Sequence, residues 1–150
     1  MFFTYLAISL HILSAVIWIG GMFFAHIALR PVVATLLEPP LRLPLMSQVL
    51  ARFFPWVWIS VVLLWATGFW IIYSSGMLAM YIHIMFTIAA VMTIIFAYIF
   101  LIPFPHLKQA VADKKFPEAG KNLAQIRQLI GINLVLGLIT IIVATMGQSL

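Results

Sequence analysis

Four long stretches of this chain carry no charged residue: about residues 4–29, 56–73, 77–102 and 129–146. Each is close to the roughly 20 apolar residues that a helix needs to cross about 30 Å of hydrocarbon. All eight Lys and Arg fall between them: Arg30, Arg42 and Arg52 between the first two runs, and Lys108, Lys114, Lys115, Lys121 and Arg127 between the last two. This partition constrains the fold more than any motif does. A backbone in lipid must satisfy its own polar groups, so four such runs read as four helices. The expected fold is all-α: an integral-membrane bundle of four transmembrane helices in a single domain over residues 1–150.

Composition excludes the main alternatives. Of 150 residues, 65% are apolar and 7% charged. A soluble domain carries about 25% charged residues, so a soluble enzyme is not expected. The first run lacks a preceding basic residue and is too long for a signal-peptide core, so it is read as a span and not as a cleavable leader. The chain has no Cys, which removes disulfides, iron–sulfur clusters and thiolate metal sites. The net charge of +5 reports orientation here and not nucleic-acid binding. Both basic connections lie on one side of a four-span chain. The positive-inside rule makes that side cytoplasmic and puts both termini and the Ser74–Gly76 turn on the outer, periplasmic side of a bacterial inner membrane.

The connections have patterns of their own. The spacing of Leu43, Leu45, Met46, Val49, Leu50 and Phe53 around Arg42 and Arg52 predicts a short interfacial helix over 41–54. Residues 116–128 read as a polar helical lead-in to the fourth span, with Pro117 in its first turn. On the fourth span, Asn133, Gly137, Thr140 and Ala144 form a stripe suited to helix packing, with Asn133 as an interhelical hydrogen-bonding residue.

No span contains Asp or Glu, so paired-carboxylate catalysis and His–carboxylate triads have no material within the membrane. Four histidines remain: His11, His26, His83 and His106. An ionisable residue inside a span is a functional hypothesis by default. His11 and His83 lie at similar depth on spans that run in the same direction, roughly 10 Å below the outer surface at 1.5 Å per residue. Two such histidines on different helices suit bis-histidine ligation of haem b. His26 lies ~22 Å along the axis from His11 and shares its side of the membrane with His106, which predicts a second haem near the cytoplasmic face. Arg30, Arg52 and Arg127 are expected partners for haem propionates there. Trp18 and Met22 share the helical stripe of His11, so Trp18 is an expected cofactor contact.

The stretch "HILSAVIWIGGMFFAHIALRP", residues 11–31, resembles the first-span signature of the copper-resistance protein D (CopD) family. That signature has a His, a Trp seven residues later, Gly-Gly and a closing Arg-Pro. "RFFPWVWISVVLLWATG", residues 52–68, is similar to that family's second span. The His-to-Trp spacing also resembles the HemJ-type protoporphyrinogen oxidases, four-span proteins that bind haem b. In "YIHIMF", residues 81–86, His83 matches that family's third-span His, while Met85 stands at the position of its Lys.

Two functional expectations follow. The first is a haem b membrane protein in electron transfer or porphyrin-linked oxidoreduction. Its metal ligands would be His11, His83, His26 and His106, and its partners lipid, a quinone, a porphyrin or another redox partner, with a homodimer left open. The alternative is a copper-handling protein, as the CopD resemblance implies. Copper(I) favours soft ligands, and Met77, Met80 and Met85 lie near His83 in sequence.

Overall fold

The charge-free runs fold as helices, and the first, second and fourth helices overrun their runs at the basic end. In the computed structural model, which describes residues 1–76 and 78–149, helix α1 spans Phe2–Leu36. Helix α2 spans Pro39–Ser75 and α3 spans Met80–Leu101. A short α4, Pro103–Ala112, precedes α5, Phe116–Met146. Among the described residues, four helical stretches are long and apolar enough to cross a membrane: α1, α2, α3 with α4, and α5 with its terminal turn. The 37 residues of α2 reach about 55 Å, well beyond the ~30 Å hydrocarbon layer. The surplus lies towards the end that holds the Lys and Arg.

Two boundaries differ from expectation, both at prolines, and the end of the third span falls where it is expected. Arg30-Pro31 does not end the first helix. Residues Phe24–Leu29 widen into a π-helical turn, with the Arg30 N–H donating to the Ala25 carbonyl five residues back. The helix then continues to Leu36 with Pro31 in the first turn after the widening. The interfacial helix expected over 41–54 is not a separate element. It is the first third of α2, which runs straight through Pro44 and Pro55. Leu43, Met46, Ser47, Leu50 and Phe54 are buried at helical spacing, so this segment packs inward instead of lying on headgroups. An internal proline removes one backbone donor, whereas unwinding a turn in an apolar medium strands several polar groups. After α3 the chain breaks only at Ile102, and Pro103 and Pro105 start α4. Met77, part of the methionine group near His83, lies outside the described residues. The lead-in over 116–128 is continuous with the fourth span, as its sequence suggests.

Two turns between helices use left-handed backbone, one at a glycine that tolerates it and one at a lysine. Gly76 closes α2 in the left-handed region, at φ 64°, with its N–H on the Ile72 carbonyl. Lys114 takes φ 55° between α4 and α5.

The bundle pairs α1 with α2 and α3 with α5 by close backbone approach. Between those pairs lies a layer of rings. Phe96 meets Trp58 at 5.0 Å, Phe54 at 5.4 Å and Trp18 at 6.2 Å between centroids, all edge to face. Phe54 also meets Phe104 at 4.8 Å. Nearer the turn end, the Trp65 Nε1–H donates to Thr93 Oγ1 across the same seam. Hydrocarbon offers no hydrophobic drive between helices, so such packing and the few interhelical hydrogen bonds hold the bundle together. Asn133 behaves as its stripe suggests, donating from Nδ2 to the Met92 carbonyl at 3.1 Å. Gly137 lies under Ile19 and Met92, where a Cβ would come within 2.9 Å of Ile19.

Candidate functional site

At the turn end, His11 faces α2. Its Nδ1 is 2.8 Å from Thr67 Oγ1, and its ring packs beside Gly68, where an added Cβ would stand 3.5 Å from Cε1. The Thr67 hydroxyl donates to the Leu63 carbonyl of its own helix. Its oxygen is therefore the acceptor for His11, so the proton sits on Nδ1 and the Nε2 lone pair is free. His83 reaches the same tautomer by another route. Its Nδ1 is 3.2 Å from the Ala79 carbonyl, which can only accept. Hydrogen bonding of one ring nitrogen orients a ligating imidazole through the other. The two rings turn to different neighbours: His11 to α2, and His83 to an exposed face of α3 beside Met80, which is 76% exposed. Trp18 is buried in the ring layer against Phe96.

At the basic end the sequence-selected residues divide. His26 sits in the π-helical turn and packs over Gly131 of α5, where an added Cβ would lie 3.1 Å from its Cε1. His26, Arg30 and Arg127 line one cleft of about 210 Å³. Arg42, absent from the sequence-selected set, lines it too. The floor is apolar, with Leu43, Met46 and Ile126 among its residues, and no Asp or Glu belongs to it. The charges of Arg30 and Arg127 both bear on His26 and on each other. His106 is elsewhere, on the exposed face of α4 in a shallow depression with Asp113, Lys115 and Glu118. Arg52 is exposed and outside the cleft. The structure therefore brings His26 together with Arg30 and Arg127 but not with His106 or Arg52.

Sequence reasoning passed over Arg42, Thr67 and the π turn. The first two had a signal. Thr67 is one residue before Gly68 in the second span, and Arg42 follows Glu38-Pro39-Pro40, an evident helix start. The π turn has no comparable signature. Such turns are rare and recur at functional sites. Among the described residues, no group of three or more His, Cys, Asp or Glu is arranged to hold a metal ion.

Four apolar spans around a ring-packed interior, with every Lys and Arg at one end, define a multi-pass helical membrane protein. Residues 47–146, about two thirds of the chain, match the family model described as copper resistance protein D, and the chain belongs to that family. No curated protein and no solved structure matches it.

Proposed function

We propose that this protein handles copper within a membrane. The observation that carries the reading is the family match over residues 47–146. The chain's own chemistry supports it at the turn end. Met80 and His83 stand three residues apart on α3, both exposed, and a residue at i+3 shares a helical face. The free Nε2 of His83 and the thioether of Met80 are the soft and borderline donors that copper(I) takes. Copper is cargo in this reading. The basic cleft is the wrong environment for it, because three guanidinium groups repel a bare cation and no carboxylate offsets them.

The test is copper(I) loading of the purified protein in detergent, followed by metal analysis. Wild type should retain copper, and the Met80→Leu, His83→Ala double variant should retain much less. Equal retention by both, or none by wild type, would overturn the proposal.

One observation favours the haem b reading as a second. His26 and Arg30 with Arg127 share a cleft, so an axial imidazole and two propionate partners are at hand. Its volume falls below the roughly 300–1,000 Å³ of pockets that enclose drug-sized ligands, and a porphyrin is larger still. A Soret band in the same preparation, lost in His26→Ala, would favour haem over copper.

A further inference from the structure

We infer that the basic cleft binds the phosphate of an anionic phospholipid, with an acyl chain along its apolar floor. Three observations converge on this occupant.

The first is charge. Arg30, Arg42 and Arg127 come from α1, α2 and α5, and the lining holds no acid. Bringing three guanidinium groups around one small cleft is unfavourable unless an anion completes it. Guanidinium also presents a donor fork that matches phosphate oxygens.

The second is depth. Arg30 directly follows the charge-free run 4–29, and Arg127 lies two residues before the run 129–146. Both stand where hydrocarbon gives way to headgroups, the level at which lipid phosphates lie. Basic pockets between helices at that level recognise anionic headgroups.

The third is the wall. Apart from the guanidinium groups and His26, the cleft is lined by apolar residues such as Leu43, Met46 and Leu123 and by small ones. Water-soluble phosphate has no use for such a surface, whereas an acyl chain does. The cleft is of a size for a headgroup and the start of a chain, and it does not depend on how the protein handles copper.

The π turn of α1 lies directly at this site. It carries His26 over Gly131 and hands on directly to Arg30.

The experiment uses the full chain, delipidated in neutral detergent and titrated with short-chain phosphatidylglycerol. Phosphatidylcholine and inorganic phosphate serve as parallel arms, and thermal stabilisation gives the apparent affinity. Phosphatidylglycerol should stabilise the protein, and the other two should not. Arg42→Gln and Arg127→Gln should each weaken the effect about tenfold or more, the share of one charge-assisted hydrogen bond. Arg52→Gln, outside the cleft, should leave it unchanged. Equal stabilisation by phosphatidylcholine would overturn the inference, as would an equal loss in Arg52→Gln. Stabilisation by inorganic phosphate alone would assign the cleft to a soluble anion. Stoichiometric haem removed by Arg127→Gln would assign it to carboxylates. Either result would overturn the lipid assignment. No copper retention by wild type, with phosphatidylglycerol binding intact, would reject the proposed function and leave this inference standing.

Discussion

Asn133 donates to the Met92 carbonyl across the bundle, while its own Oδ1, fully buried, has no hydrogen-bond partner among the described residues. An interhelical side-chain bond in a membrane is worth about 0.6 kcal/mol on average, and an unused buried carbonyl offsets part of that. Asn133→Leu is therefore expected to change stability by less than about 1 kcal/mol. Phe96→Ala should cost roughly 3 kcal/mol or more, because it leaves a void among Trp18, Phe54 and Trp58. Thermal unfolding of both variants in one detergent checks the order. Gly131 has the opposite sensitivity. Its missing side chain makes room for the His26 ring, so Gly131→Leu should cost about 1–3 kcal/mol by overpacking. The same variant should weaken phosphatidylglycerol binding, read in the same titration, by pushing α1 away from α5. Of these contacts only Asn133 was legible in sequence, because a lone amide in an apolar run has few other uses. That Gly131 faces His26 depends on the rotation of two helices about their axes, which no local pattern encodes.

At the scale of elements, helix number and order were legible because the absence of charge over some 20 residues has one structural meaning in lipid. Helix ends were not, because proline breaks helices less readily in lipid than in water. There a broken helix is solvated at once. Here Pro31, Pro44 and Pro55 all lie within continuous helices. The π turn at Phe24–Leu29 gives this a measurable form. Deleting Ala25 should convert the turn to regular α-helix and leave Arg30 nearly in phase, because a π turn holds about one residue more than an α turn. Phosphatidylglycerol binding should then persist, and far-UV circular dichroism should keep its helical amplitude. Lost lipid binding would mean that the widened turn itself, and not only the register after it, builds the cleft. The site histidines were legible as candidates by type, but their partners were not. His11 answers to Thr67 and His26 to Gly131, each on another span.

For the whole molecule, the distribution of charge sets its orientation. Arg42 and Lys114 are expected in the cytoplasm and both termini outside, by the positive-inside rule. A periplasm-dependent reporter fused to the C-terminus should be active, and one fused within the connection at Lys114 inactive. The reverse pattern would invert the molecule and move the Met80–His83 pair to the cytoplasmic face.

The ring layer also bears on how such a bundle can be assembled. The closest backbone contacts run within the pairs α1–α2 and α3–α5, and the pairs meet largely through the side chains of Trp58, Phe54, Trp18 and Phe96. Each half is a helical hairpin that can enter the bilayer as a unit and meet the other afterwards. Covalent continuity through the Ser74–Gly76 turn then adds proximity and little else. Two separately translated fragments, 1–76 and 77–150, should find each other in the membrane and co-purify through a tag on either one. Gene fission at that turn would leave a working protein.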